Sequence, residues 1–370
     1  MNRVKNYMRF LIALLAALTL FASCASKPAA PGAEPEPGPA AGQAEPTQAP
    51  AVSQADLDAL LAQAKELKKK AFDLKLYEVL ADDYKAADAQ LAKGKQAYDD
   101  KNAAAAKEGL DASVVAFTSL IERGLVELVA IGKREAEDMK SLAIRADAES
   151  RTPERLEAGD ASFVAAEKLA GDKKPEEAIP AYEKARLCYE LAYKRSAAGA
   201  LKDEIEEKDF AKWDSGNYQI AEGKFTAEEG LWASGADADR AAGADALDEA
   251  ILRFNLVLQK GKETVALNSK ESAESSKSRS DEIKAEVSAK DEYEAAIAAF
   301  RDADSKLTNK EFEEAAAGYD EALAAFDQAY DIAAEKRARA EEAIRQAGEA
   351  TAESERKADE ADPIINGTQP

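Results

Sequence analysis

The chain has no histidine and only two cysteines among its 370 residues. Histidine is the commonest general base and a common metal ligand, so its absence removes many catalytic and metal-binding arrangements. If Cys24 is modified, Cys188 is the one remaining thiol, which excludes an internal disulfide and a cysteine metal cluster. Cys188 lies beside Tyr189 near an apolar helical stripe, which predicts a packed core thiol rather than a nucleophile.

Proline is scarce outside one segment, because seven of the 12 prolines lie within residues 28–50. The rest of the chain is therefore almost free of helix breakers. Aromatic residues make up 6% of the chain, and the apolar fraction of 46% is rich in alanine. No Gly-rich phosphate loop or nucleophile elbow occurs in the sequence. These features predict an all-α protein that is not an enzyme and needs no cofactor.

Basic residues are outnumbered, with 50 Lys and Arg against 72 Asp and Glu. Loss of residues 1–23, which contain three basic residues and no acidic one, moves the net charge from −22 to −25. Such a chain should repel nucleic acid and anionic lipid head groups, and it should attract a basic protein surface.

Residues 1–23 have the pattern of an export signal. Arg3, Lys5 and Arg9 form a positive segment, and residues 10–21 form an apolar run that is short for a membrane span. Small residues then lead directly into Cys24. This ending resembles a bacterial lipobox, in which the cysteine thiol receives a diacylglycerol and becomes the new N-terminus. Phe21 departs from the usual aliphatic residue, and a plain secretory signal cut near Ala22 or Ala25 is the alternative.

Residues 24–50 are predicted to be the lipidated cysteine and a tether. The segment is rich in Ala, Pro, Gly and Glu and has no apolar period. The predicted domains are a signal peptide (1–23), the tether (24–50), a helical repeat domain (51–360) and a disordered tail (361–370).

The repeat domain is predicted from recurring helical hairpins. Residues 293–330 form two amphipathic helices with a turn at residues 308–310. Residues 84–121 and 156–193 align with this hairpin without a gap. Because a single hairpin cannot bury its apolar stripe, copies are expected to stack on one another. The alternative is chance similarity among Ala-rich helices. The predicted fold is an array of antiparallel helical hairpins, either a solenoid or an elongated bundle.

A further copy is predicted to match by its second half. In this alignment Trp213 takes the place of Leu307, and Phe225 takes the place of Tyr319. Its turn is predicted at residues 215–217, and residues 234–244 are predicted to be a loop because of their Gly and Asp content. Residues 245–260 are predicted to be helical. Residues 268–282 are interpreted as a solvated helix or a flexible link.

Three prolines bear on the second hairpin. Pro153 and Pro175 are predicted to open helices. Pro180 lies five residues further along and is expected to kink its helix or to delay the start of that helix. The first helix of the domain is predicted to be capped by Ser53.

The hairpins resemble tetratricopeptide repeats, since Ala315, Tyr319 and Ala322 keep that family's small-aromatic-small spacing, as do Ala221 and Phe225. The Cys24 lipobox, the Ala/Glu-rich body and the segment KPEEAIPAY at residues 174–182 resemble spirochaete lipoproteins of the treponemal membrane protein A type. This resemblance implies an acylated antigen of the bacterial cell envelope, facing the periplasm or the cell surface, without known catalysis.

The predicted function is therefore a lipid-anchored envelope protein that acts as a helical scaffold for protein partners. The densest aromatic group marks a candidate binding groove between hairpins, with core packing as the alternative. Its members are Trp213, Tyr218, Phe225 and Trp232. A lipoprotein that binds a small apolar ligand, or that assists a transporter, is the alternative function.

Overall fold

The computed structural model describes residues 52–365, with side chains described for residues 52–360. No strand occurs in this range, and the predicted all-α fold is confirmed. The helices are α1 (Gln54–Asp73), α2 (Leu76–Val79), α3 (Ala81–Asp99), α4 (Ala103–Arg145), α5 (Ala148–Arg151), α6 (Pro153–Gly171), α7 (Pro175–Glu207), α8 (Ser215–Ala233), α9 (Asp237–Glu282), α10 (Ala285–Ser288), α11 (Lys290–Thr308) and α12 (Phe312–Ile365), with a 3₁₀ turn at Phe210–Lys212.

One backbone pattern occurs four times. A helix of 20 to 46 residues ends, and a non-glycine residue in the left-handed region follows two positions after that end, with φ between 52° and 63°. A single helical turn and a helix of 19 residues follow. A second residue with positive φ comes 26 positions after the first in every copy, and it leads into the next long helix. The two sets of corners are Lys75, Asp147, Asp209 and Lys284, and then Lys101, Lys173, Gly235 and Lys310.

Each repeat consists of two long helices, a single helical turn and a 19-residue helix, and neighbouring repeats share the long helix between them. Unit 1 combines α1, α2, α3 and the first half of α4 around one core. Unit 2 combines the second half of α4 with α5, α6 and the first half of α7. Unit 3 uses the rest of α7, α8 and the first half of α9, and unit 4 uses the rest of α9, α10, α11 and the first half of α12. Helices of each unit pack against helices of the next, so the array is linear.

In the last turns of each long helix, before the corner that follows it, buried residues recur every seven positions. Seven-residue spacing keeps one face of a helix against its partners, and small side chains let the helices approach closely. These buried residues are Leu57, Ala64 and Ala71 in unit 1, Ala136 and Ala143 in unit 2, Leu191, Ala198 and Ile205 in unit 3, and Ala266, Ala273 and Ser280 in unit 4.

The 19-residue helix and the following long helix cross at a pair of small residues. In unit 1 these are Gly94 and Gly109, and a Cβ added to Gly94 would lie 2.7 Å from the backbone carbon of Gly109. In unit 4 they are Ala303 and Gly318. In unit 3 the equivalent pair is Glu228 and Gly243, so a carboxylate occupies the place of a small residue.

The predicted frame of the third copy is wrong. Residues 215–217 are the first turn of α8, capped by the side chain of Asp214, and not an inter-helix turn. The break after α8 is only residues 234–236, because α9 already begins at Asp237. The corners Asp209 and Lys284 pair Trp232, rather than Trp213, with Leu307.

Several other expectations can be compared with the helices. Ser53 caps α1, as predicted, by accepting a hydrogen bond from the Asp56 amide. The polar segment 268–282 is part of the continuous helix α9, so the flexible-link interpretation is wrong. Helix α7 begins at Pro175 and is unbroken through Pro180, so its start is not delayed.

The tetratricopeptide likeness is not confirmed. Ala221 and Phe225 lie in a 19-residue helix rather than in the second helix of a hairpin. Helices α4, α7 and α9 each belong to two units, whereas tetratricopeptide units each have their own pair of helices.

Within residues 52–365, no helix combines the length and hydropathy that a membrane span requires.

Helix α12 extends well beyond the last core contact. Ala333 is buried, but every side chain from residue 335 to residue 360 is exposed. The helix continues to Ile365, inside the segment predicted to be a tail. Ion pairs such as Arg337–Glu341 and Lys357–Glu353 run along it at four-residue spacing. Such pairs stabilise a solvated helix by a few tenths of a kcal/mol each.

Candidate functional site

The four aromatic residues of the predicted binding group do not converge on one cavity. Trp213 packs beside Phe210, with ring centroids 5.3 Å apart and the ring planes tilted by 32°. Tyr218 and Phe225 pack against Phe254 at 6.0 and 6.4 Å. All four are half-buried against the core of unit 3, as the core-packing interpretation expects.

Trp232 lies apart from the other three, between two guanidinium groups. The Arg155 and Arg240 carbons are 5.0 and 4.8 Å from its ring centroid, on elements that belong to different units. Cation–π contacts of this kind contribute about 0.5–2 kcal/mol each, depending on burial. Trp232 therefore helps to hold α6 and α9 against α8.

A buried ionic network surrounds this contact at the junction of units 2 and 3. The Arg155 guanidinium donates to both carboxylate oxygens of Glu228, at 3.1 and 2.9 Å. Arg195 donates to Glu228 at 2.7 Å and also pairs with Glu229. Arg155 is 1% exposed and Glu228 is fully buried. Burial alone would lower the pKa of the Arg155 guanidinium, but the hydrogen bonds and charge of Glu228 outweigh it and raise that pKa.

Sequence patterns alone do not predict this network. Glu228 lies in the segment AEEG and reads as one more acidic surface residue of a helix. Its burial follows from its position at the helix crossing, where the other units have glycine or alanine. Opposite it, Gly243 leaves the room that the carboxylate needs, since a Cβ there would lie 3.3 Å from the Glu228 Cγ.

Lysine, carboxylate and tyrosine groups meet at equivalent places in units 2 and 4. Glu167 accepts from Tyr182 at 2.8 Å and pairs with Lys133 at 2.8 Å. Asp304 accepts from Tyr319 at 2.6 Å and from Lys270 at 2.7 Å. The hydrogen bonds from Lys133 and then Tyr182 lower the pKa of the Glu167 carboxyl. These groups tie the 19-residue helix to both long helices of the unit, which is a structural role.

An open groove lies between the second half of α4 and the first half of α7. Its volume is about 530 Å³. Its floor is apolar and its rim is mostly acidic. It is lined by Leu128, Ile131, Gly132, Glu135, Asp138, Met139, Leu142, Ile179, Glu183 and Arg186, and this set is called the junction groove.

A second cleft of about 370 Å³ continues the junction groove toward α1. Ile179 lines both clefts, and the other lining residues come from the last turns of α1 and from the start of α7. Lys70 of α1 pairs there with Glu176 of α7 at 2.6 Å. The clefts therefore lie where unit 1 meets unit 2.

An equivalent cleft of about 480 Å³ lies where unit 3 meets unit 4. It includes Phe210, Val265, Phe312 and Ala316. Lys208 and Lys262 both pair with Glu313 there, at 3.4 and 3.3 Å. The Lys–Glu contact across the junction thus recurs, and an open apolar surface recurs beside it.

The remaining candidate groups do not form a reactive site. Cys188 is fully buried, as predicted, and burial raises the pKa of its thiol above the ordinary value. Within the described part of the chain, no cluster of His, Cys, Asp and Glu has the geometry to hold a metal ion. Cys24, the predicted lipidation site, lies outside the described residues.

The fold and its clefts define a helical repeat array with open surface grooves at the unit junctions. Among known proteins, the chain is similar to treponemal membrane protein A of Treponema phagedenis, with 25% identity over 174 residues. The match covers 47% of this chain and 49% of the relative, so the chain spans about half the length of the relative it matches. The similarity indicates a distant relationship. No protein-family profile matches the chain, and no solved structure matches it.

Proposed function

We propose that this protein is a lipid-anchored component of a bacterial cell envelope and that its helical array is a non-catalytic scaffold for protein partners. The observation that carries the proposal is the junction groove, an apolar surface with an acidic rim on a linear array of helices. Repeat arrays characteristically use such continuous surfaces for binding other proteins. The distant relative named as a membrane protein supports the location.

The anchor in this proposal is the acylated thiol of Cys24. Two or more acyl chains would make the attachment stable, since each buried CH₂ contributes about 0.8 kcal/mol. The acidic body would add nothing to membrane binding, because anionic lipid repels it. Residues 24–50 would act as a spacer that holds the body away from the bilayer.

The alternative, a carrier of a small apolar ligand, has less support. Its candidate residues Trp213, Tyr218, Phe225 and Trp232 are engaged in packing and line none of the three junction clefts. A drug-sized ligand is usually bound in a pocket that buries most of its surface. The clefts at the junctions are open, which suits the surface of a protein partner better.

The anchoring part of the proposal can be tested by metabolic labelling with a fatty acid. The wild-type chain should incorporate label and fractionate with membranes, and a Cys24→Ser chain should do neither. Label in the Cys24→Ser chain, or none in the wild type, would contradict the anchor.

The scaffold part can be tested by cross-linking in intact cells followed by purification of the full-length chain. We expect at least one envelope protein to be enriched over a cross-linked control lipoprotein. A chain that is purified alone, at every cross-linker length, would contradict the scaffold.

A further inference from the structure

The residues that line the junction groove have the spacing of a surface that packs against another helix. Its lining residues on α4 are numbers 128, 131, 132, 135, 138, 139 and 142, and each lies three or four positions from another on the same helix face. Those on α7 are numbers 179, 183 and 186, which recur at steps of four and three. This is the spacing at which one helix presents a continuous seam to another. A helix placed in the groove would therefore meet a seam on both α4 and α7.

The position opposite the groove is already occupied by a helix. Unit 2 covers one side of the α4–α7 pair with α6, whose core contacts include Leu156, Phe163 and Ala166. The junction groove lies on this same pair of helices and is open. An added helix would complete a four-helix arrangement, in which each helix packs against two neighbours.

The floor of the groove suits an apolar helix face. Leu128, Ile131, Leu142 and Ile179 are partly buried and still line the groove. Met139 lies among them, and its flexible thioether adapts to side chains of different shapes. The α4 residues of the groove span 14 positions, which corresponds to about 21 Å of helix axis at 1.5 Å per residue. This length suits a partner helix of about four turns.

The rim of the groove selects the charge of the partner. Glu135, Asp138 and Glu183 are exposed and belong to none of the ion pairs found among the described residues. The one basic lining residue, Arg186, is engaged by Glu190 at 2.9 Å. The two lysines of the continuing cleft, Lys69 and Lys70, are likewise engaged, by Asp73 and Glu176. An occupant should therefore carry lysine or arginine beside its apolar stripe.

We propose that the junction groove binds one amphipathic α-helix of a partner protein, with an apolar face against Ile131 and Met139 and basic residues facing Glu135, Asp138 and Glu183. This inference rests on the scaffold function proposed above and names the surface and the chemistry of the partner. The mode is that of a helix in a groove, in which residues at three- and four-residue spacing are the anchors.

The test uses the full-length chain in cells, with a photo-cross-linking amino acid in place of Met139 or of Val126. Val126 is 68% exposed on another face of α4, so it is a matched control. Position 139 should cross-link to an envelope protein, and position 126 should not. Mass spectrometry should place the cross-link in a helical segment with an apolar stripe flanked by Lys or Arg.

Two glutamate substitutions complete the test. Met139→Glu should reduce the amount of co-purified partner about tenfold or more, because it places a carboxylate on the apolar floor. Val126→Glu should leave that amount unchanged. Circular dichroism of both variants checks that the chain still folds, and a partner lost only from a folded Met139→Glu chain supports the proposal.

Each contrary outcome has a distinct meaning. Partner retained by the Met139→Glu chain, or cross-linked equally from position 126, overturns the groove but leaves the scaffold function intact. A cross-link from position 139 to lipid, to a second copy of this chain or to an acidic segment also overturns the proposal. Recovery of no envelope protein from any position contradicts the scaffold function itself.

Discussion

At the scale of single residues, Glu228 decides how units 2 and 3 are joined. Its carboxylate is fully buried and faces two guanidinium groups that come from different elements, Arg155 on α6 and Arg195 on α7. Burying charges costs free energy, which the mutual attraction offsets only when all partners are present. The network as a whole therefore adds little net stability, whereas the loss of one partner is costly because it leaves a buried charge unpaired.

Replacing Glu228 by alanine should destabilise the protein by about 3–5 kcal/mol, because Arg155 would be left buried without its main partner. Urea denaturation followed by circular dichroism measures this free energy of unfolding. Glu229→Ala is the matched control: its side chain is 51% exposed, and the expected cost is about 1 kcal/mol or less. Equal costs for the two variants would contradict the assigned role of Glu228.

Asp304 should make the stability of the protein depend on pH in the acidic range. Partial burial alone would raise the pKa of its carboxyl, but the hydrogen bonds from Lys270 and Tyr319 lower that pKa below its ordinary value. The unfolded chain therefore binds the proton first as pH falls, so this contribution to stability is present above the ordinary pKa of about 4 and is lost over the range in which pH falls from there through the lowered pKa. Asp304→Asn should lose less stability than the wild type over this range.

Urea titrations at a series of pH values measure this difference. The effect should be modest, because the Asp304 side chain is 41% exposed and water screens the pair. Asp331→Asn, on an exposed part of α12, controls for the removal of one negative charge. Identical acid profiles for the Asp304→Asn and wild-type chains would show that the group contributes no stability.

At the scale of helices, the crossing of α3 and α4 depends on two glycines. Gly94→Ala should destabilise the protein by about 1–3 kcal/mol, since the added Cβ meets backbone atoms that cannot turn away. Gly230→Ala should instead stabilise it by about 0.5–1 kcal/mol, because nothing lies within 4 Å of that position in the equivalent helix α8. Thermal melting of the two variants should show shifts of opposite sign.

The sequence pattern predicted the hairpins of units 1, 2 and 4, because aromatic residues mark both of their helices. It failed in unit 3, where Ala244 and Ile251 take the places of Tyr319 and Phe326, so α9 carries no aromatic signal at those positions. The corner at Asp209 has neither glycine nor proline to mark it. The alignment therefore moved the aromatic residues of α8 onto the wrong helix.

The junction groove could not be predicted from the sequence, for a different reason. Its two seams are Leu128 to Leu142 and Ile179 to Arg186, which are far apart in the chain and meet only through the sharing of α4 between units. In the sequence, the α4 residues of the groove form part of an ordinary amphipathic stripe. What leaves it open is the end of α1 at Asp73, which no local pattern connects to α4.

The exposed second half of α12 should contribute little to the stability of the array. Deleting residues 336–370 removes no buried side chain of the described part of the chain, so the melting temperature should change by less than about 3 °C. The helical signal in circular dichroism should fall in proportion to the residues removed. A large loss of melting temperature would indicate that this segment packs against something.

At the scale of the whole molecule, the units are coupled by helices that run through their boundaries. Units 3 and 4 share α9, whose core residues Val257 and Leu258 belong to unit 3 and whose Ala266 belongs to unit 4. In a linear array, stability is approximately the sum of the unit terms and the terms between neighbours. Interrupting a shared helix should therefore reduce the free energy of coupling between two neighbouring units more than it reduces the stability of either unit.

Thr264→Pro tests this coupling, because residue 264 lies on α9 between the two cores. Proline removes a helical hydrogen bond and clashes with the preceding turn, which costs about 3 kcal/mol or more in a helix interior. We expect the wild type to unfold in one transition and the Thr264→Pro chain in two, with unit 4 melting first, as measured by calorimetry. Glu353→Pro places the same residue in the exposed part of α12 and should leave the transition intact. One unchanged transition in the Thr264→Pro chain would mean that the shared helix does not couple the units, and that side-chain contacts across the junction, such as Lys262–Glu313, hold the array together instead.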